Sequence, residues 1–179
     1  MIITCFTKIN KMNKLLVLVL LVTGMIIPCK TSNAVPERAS TEEVVNLNLM
    51  SIEERIDYSL SQYGIDSVMR KLIIAQAKHE SGNFKSKLFK KHNNLFGMMH
   101  PRVRPTLSKG SLARAEGRPG YASFETIENS VQDYILWMKF NSLPTTFKSP
   151  KEYAKTLKEK RYFTDDLSRY TKGLERHLQ

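Results

Sequence analysis

Between residues 93 and 124 the chain loses the helical period that governs it on either side, and this break most constrains the fold. The stretch "NNLFGMMHPRVRPTLSKG" (93–110) holds Gly97, Pro101, Pro105 and Gly110. Proline fixes φ and removes a backbone donor, so a helix does not run through it. "GRPGYASF" (117–124) then gives a turn signal followed by alternating aromatic and small residues, the pattern of a small β-hairpin.

The flanks read as helices with their own start and stop signals. Ser51-Ile-Glu-Glu54 is a capping box, in which the serine side chain accepts from a free backbone N–H and the glutamate reaches back. Ile52, Ile56, Leu60 and Tyr63 follow at helical spacing, and Gly64 is the stop. Asp66 or Ser67 caps a second helix carrying Val68, Leu72, Ile73, Ala75, Gln76, Ala77 and Glu80, which Gly82 ends. Asn83 is the expected cap of a short piece, 84–92. Beyond the break, Thr126 caps a helix with Ile127, Val131, Tyr134, Ile135 and Met138 on one face. Ser149-Pro-Lys-Glu152 is a second capping box with Pro150 at the first helical position, and a last helix spans about residues 165–178. The predicted fold class is α+β, mainly α: a helical domain with one small β-hairpin.

The first 34 residues read as a secretion signal. Lys8, Lys11 and Lys14 form a basic start, "LLVLVLLVTGMII" (15–27) is the apolar stretch, and "SNA" (32–34) is a small-x-small cleavage site. The apolar run is too short for a stable membrane span. Lipid attachment at Cys29 is the rival reading, although Ile26-Ile27-Pro28 lacks the small residues expected before a lipidated cysteine. Residues 35–50 read as a linker or N-terminal arm, and 51–179 as the folded domain. The expected location is outside the cytoplasm: periplasm, cell envelope or extracellular space. Both cysteines, Cys5 and Cys29, fall in the signal. The mature domain therefore has no disulfide, no Cys-ligated zinc and no cysteine nucleophile. Four lysines and no acid also leave with the signal, so 24 basic residues remain against 17 acidic. That balance suits an anionic partner such as a wall polymer or a membrane surface, or simply a solvated basic face. No nucleic-acid recognition motif accompanies it.

The chemistry converges on Glu80. Ile73, Ala77 and Glu80 lie at i, i+4 and i+7 and share a helix face. The carboxyl thus sits on or beside the buried stripe in the last turn. Burial and the negative end of the helix dipole both raise its pKa. An acid that keeps its proton near neutral pH can protonate a leaving oxygen, the general-acid step of glycoside cleavage. The plainer alternative turns Glu80 outward onto Lys85 or Lys87. His79 points about a hundred degrees away and reads as an edge histidine. The histidines are scattered with no ligand spacing, so no metal site and no cofactor is expected.

Four stretches in order carry a resemblance. They are Ala77-Lys-His-Glu80-Ser81-Gly82, then Asn93-Asn94-Leu95-Phe96-Gly97-Met98, then Phe124-Glu-Thr126-Ile-Glu128-Asn-Ser130-Val131-Gln-Asp133-Tyr134, and Arg161-Tyr162-Phe-Thr164-Asp165. Together they resemble the bacterial glucosaminidase family, lysozyme-like peptidoglycan hydrolases with a mannosyl-glycoprotein endo-β-N-acetylglucosaminidase-like domain. The lysine usual after the second motif is Met99 here. The resemblance covers about residues 50–178. It implies a lysozyme-like fold, peptidoglycan glycan strands as substrate and Glu80 as catalytic acid, with the Asn94–Gly97 loop and Tyr162 lining the sugar groove. It further implies a second acid in the hairpin, and Glu116 is the nearest match. Glu116 is equally read as a solvated turn residue. A water activated there would invert the sugar, whereas attack by the substrate's own acetamido group would retain it.

Other residues have two readings each. Phe96 stacks on a sugar or plugs the core beneath its loop. Asn94 bonds sugar hydroxyls or shapes the turn. Trp137 is core or sugar platform. Tyr121 alternates with Phe124 and faces the groove in one reading. Tyr134 lies on the core stripe, where its hydroxyl needs a partner and is free to orient Glu80. The run "KEKR" (158–161) is a solvated helix end or a contact for anionic peptide stems. The resulting expectation is a peptidoglycan hydrolase cutting the β-1,4 bond after N-acetylglucosamine. Its rivals are a muramidase or lytic transglycosylase on the same glycan, and a non-hydrolytic wall-binding protein of the same fold.

Overall fold

The computed structural model describes residues 46–112 and 120–179; the signal segment, Cys29 and Glu116 lie outside them. A 3-10 turn at Leu47–Leu49 leads into α1 (Ile52–Gln62), α2 (Ser67–Glu80) and α3 (Lys87–His92). Strands β1 (Gly110–Ser111) and β2 (Ala122–Ser123) follow, then α4 (Ile127–Phe140), α5 (Pro150–Glu159) and α6 (Leu167–Leu178). The expected mainly helical α+β architecture stands. α2 packs against α6 and α1, α1 against α4, and α5 against α6. Ile56, Leu60, Ile73, Leu95, Val131, Leu157 and Leu174 close the core between them.

Most caps fall where expected. Ser51 and Glu54 form both arms of the capping box, Asp66 caps α2, and Thr126 caps α4. Two differ. Asn83 caps nothing: it and Phe84 take left-handed φ values of 55° and 61°, because the chain must reverse after α2, and Ser86 caps α3 instead. At α5, Ser149 accepts from the Glu152 N–H, but the Glu152 carboxylate bonds the Lys148 N–H at 2.8 Å rather than closing on Ser149.

The hairpin is antiparallel, with Gly110 opposite Ser123 and Ser111 opposite Ala122. Its inner strand is held on its other edge too. The Ala122 N–H bonds the Met98 carbonyl at 2.8 Å, and Met99 bridges Tyr121. The loop before it is tied down by a buried ion pair: Arg104 lies 2.6 Å from Asp133 of α4. The same carboxylate also accepts from the Thr106 hydroxyl and the Leu107 N–H. The non-helical middle of the chain is thus clamped to α4. No helix among the described residues is long and apolar enough to cross a membrane.

Candidate active site

Glu80 ends α2, and the residues after it explain how it is held there. The Ser81 hydroxyl donates to the Ala77 carbonyl at 2.6 Å and accepts from the Phe84 N–H at 2.9 Å. That closes the helix, and Gly82 turns away with φ 59°. The carboxyl is mostly buried. Its partner is neither Lys85 nor Lys87: the Tyr170 hydroxyl on α6 donates to Oε1 at 2.6 Å. Burial pushes the Glu80 pKa up, and the Tyr170 hydrogen bond pulls it partly back.

Gly97 forms the opposite wall. Its φ of +60° suits glycine, and a β-carbon there would stand 3.6 Å from Glu80 Oε2. That is ordinary contact distance, so the cost of a side chain at this position is the strained backbone rather than a clash with the carboxyl. Two cavities, of about 290 Å³ and about 480 Å³, meet at this point and share Glu80, Gly97, Met99 and Tyr162. Glu80 therefore sits at the midpoint of a two-armed groove. Trp137 and Arg161 line the smaller arm; Tyr121, Phe163 and Asp165 line the larger. A separate cleft of about 470 Å³ lies between α1 and α2. Its acids are engaged: Asp57 with Arg70, Glu53 with Lys78, and Glu54 in the α1 cap.

The expected groove residues divide into two groups. Gly97, Tyr121 and Tyr162 line it beside Glu80. Asn94 lies beneath it, 1 % exposed. The Asn94 amide donates to the Met98 and Ala122 carbonyls and accepts from the Met98 N–H, all within 2.9 Å. With those bonds made it pins loop to hairpin, so the turn-shaping reading describes it. The Phe96 ring is also buried and stacks on Tyr134 at 4.3 Å, plugging the core, while its carbonyl accepts from the Tyr162 hydroxyl. Trp137 is half-buried. It packs on Tyr134 and Tyr162, with centroids at 5.6 and 4.9 Å, and still lines the smaller arm.

Tyr134 does not orient Glu80. Its hydroxyl donates to Gln76 Oε1 at 2.7 Å, Tyr153 also donates to Gln76, and the two hydroxyl oxygens lie 2.7 Å apart. Gln76 Nε2 has no hydrogen-bond partner among the described residues. Burial raises the pKa of Tyr134, Tyr153, Tyr162 and Tyr170, so all four remain neutral hydroxyls around the carboxyl.

Tyr170 and Gln76 are the residues that sequence reasoning missed in their roles. Tyr170 falls on the apolar stripe of α6 with Leu167 and Leu174, and a phenol on a core stripe needs a hydrogen-bond partner. Gln76 sits one turn before Glu80, a buried amide on the same helix. Tyr170 is held in turn by a parallel stack on Phe163 at 3.7 Å and by the edge of His79 at 4.9 Å. His79 is the edge histidine expected, packed over Gly173 so closely that a β-carbon there would lie 2.4 Å from its ring. A β-carbon at 173 would require the His79 ring to move away from the α2–α6 seam.

A mostly buried carboxyl with a raised pKa, open to a groove on two sides, can donate a proton to a bound oxygen. No curated protein matches the sequence. Among solved structures, the chain is similar to a type VI secretion system effector–immunity complex from Pseudomonas protegens, at 18 % identity over 71 % of this chain and 94 % of that one, TM-score 0.50. It is also similar to the catalytic domain of the autolysin Auto from Listeria monocytogenes, at 19 % identity over 72 % and 84 %, TM-score 0.43. The profile of the glucosaminidase family, described as mannosyl-glycoprotein endo-beta-N-acetylglucosaminidase, matches residues 55–179, which takes in Glu80, both arms of the groove and the clamped hairpin, and the chain belongs to that family.

Proposed function

We propose that this glycoside hydrolase is exported and cuts the β-1,4 bond after N-acetylglucosamine in peptidoglycan glycan strands, with Glu80 protonating the leaving oxygen. The observation that carries this reading is the Glu80 carboxyl at the junction of two groove arms, its pKa raised by burial and its Oε1 held by the Tyr170 hydroxyl. A glycan lying along both arms presents the bond between two sugars to that acid. Glu116 is the proposed second acid. Among the described residues the groove's other carboxylate, Asp165, is held by Arg169 at 2.9 Å.

Mass spectrometry of a wall digest tests the bond assignment. Fragments are expected to end in reducing N-acetylglucosamine. Reducing or anhydro-muramyl ends would reassign the enzyme as a muramidase or a lytic transglycosylase.

The pH profile tests the Tyr170 contact. Activity should fall as pH rises and Glu80 loses its proton. The Tyr170 hydroxyl stabilises the ionised form, so Tyr170→Phe raises the Glu80 pKa further and moves the alkaline limb to higher pH. The Phe163 stack survives this change, which keeps the ring in place. A limb that stayed put, or moved down, would separate Tyr170 from the acid.

A further inference from the structure

The two arms of the groove differ in charge. The smaller arm is lined by Arg104 and Arg161, the larger by Asp165. Arg104 is neutralised by Asp133 at 2.6 Å, and Asp165 is held by Arg169. Arg161 is different: among the described residues no carboxylate pairs with it. It is exposed at the rim, next to Tyr162, which forms part of the floor beside Glu80.

The backbone at Arg161 is also costly for the residue it carries. Arg161 follows the end of α5, where its N–H bonds the Lys158 carbonyl and the Tyr162 N–H bonds the Leu157 carbonyl, both at 2.9 Å. It takes φ +57°, the left-handed helix-ending position that glycine fills without strain. An arginine here gives up local stability and places a guanidinium, with no carboxylate partner among the described residues, on the same sugar-sized arm as the half-buried Trp137 ring.

We infer that the arm lined by Trp137 and Arg161 is a subsite for a sugar bearing a carboxylate, with the ring against Trp137 and the carboxylate on the Arg161 guanidinium. In a glycan that alternates N-acetylglucosamine with its lactyl ether, the muramyl unit supplies that group. The carboxylate is the free lactyl group of a denuded strand or the first one on an attached peptide stem. A guanidinium suits either, because its planar fork matches a carboxylate. The inference rests on the proposed glycan substrate and adds what distinguishes that glycan from a neutral polymer of N-acetylglucosamine.

Calorimetric titration tests it with Glu80→Gln protein, which leaves the ligand intact, and with the same protein also carrying Arg161→Gly. Glycine is at home at φ +57°, so the second protein keeps the fold, and its thermal midpoint checks that. The ligands are a denuded glycan fragment, the same fragment with its lactyl carboxylates converted to methylamides, and a peptide-bearing fragment. Arg161→Gly is expected to weaken binding of a carboxylate-bearing fragment roughly tenfold, less at high salt. On the amidated fragment the two proteins should converge on the same weak affinity. Dependence on Arg161 with the denuded fragment assigns the lactyl group; dependence with the peptide-bearing fragment alone assigns the stem. Affinities for both charged fragments within about twofold of each other in the two proteins, or no binding by either protein, overturn the subsite. Arg161-dependent binding by a parent enzyme that releases no reducing ends would remove the hydrolase reading and leave the subsite standing. Cleavage without Arg161 dependence would do the reverse.

Discussion

Replacing Glu80 with Gln is expected to slow glycan cleavage by about 10²- to 10⁴-fold, the range for losing a positioned general acid. The change is nearly isosteric. The glutamine carbonyl still accepts the Tyr170 hydroxyl that Oε1 accepts at 2.6 Å, so the groove keeps its shape and only the proton is lost. The same variant should be more stable than the parent at pH 7. Folding raises the Glu80 pKa by burial, so ionisation works against the folded state. That cost is absent below the ordinary carboxyl pKa, grows as pH rises through the folded value, and is complete above it. Gln carries no such charge. Calorimetry should therefore find a higher thermal midpoint for the variant at pH 7 and equal midpoints near pH 4. A Gln protein that solubilised walls as fast as the parent would rule out Glu80 as the acid.

The largest expected loss of stability lies at Arg104. Its guanidinium and the Asp133 carboxylate are 5 % and 0 % exposed. Arg104→Ala leaves Asp133 buried with only the Thr106 hydroxyl and the Leu107 N–H as donors. Breaking a buried pair from one side costs about 3–5 kcal/mol, which lowers the melting midpoint on the order of 10 °C. Because the 101–107 loop forms part of the smaller arm, activity should fall with the loosened wall. The double variant Arg104→Met/Asp133→Leu should recover only part of the stability, since it removes both charges together but leaves the Thr106 hydroxyl and the Leu107 N–H without their acceptor. A single variant within about 1 kcal/mol of the parent in chemical denaturation would show that the loop is held by other contacts.

The sequence made the helices legible because caps and apolar periodicity are local. Ser51 with Glu54, Asp66 and Thr126 each mark a true helix start. Glu80 was legible for the same reason: a carboxyl on an apolar stripe in a last turn is anomalous within a dozen residues. The rest of the site is non-local. Tyr170 reaches Glu80 from ninety residues away, and nothing near either residue encodes the pairing. Asn94 shows the opposite difficulty. Its amide suits a sugar or a turn equally, and only its burial under the hairpin distinguishes them. Asp133 and Arg104 are each unremarkable in the chain, and their meeting depends on how the proline-rich loop folds back on α4.

The Gln76 cluster constrains how such a chain can change over generations. One amide oxygen accepts from the hydroxyls of Tyr134 and Tyr153, whose oxygens lie 2.7 Å apart. All three groups are buried. A lone Gln76→Leu step leaves the two hydroxyls only each other, so one hydroxyl proton has no acceptor where water does not reach, whereas replacing all three with apolar side chains strands none. Gln76 is therefore coupled to the two tyrosines: its loss is expected to cost more while their hydroxyls remain than after both have gone. Lineages of this fold that lack Gln76 should lack both hydroxyls as well.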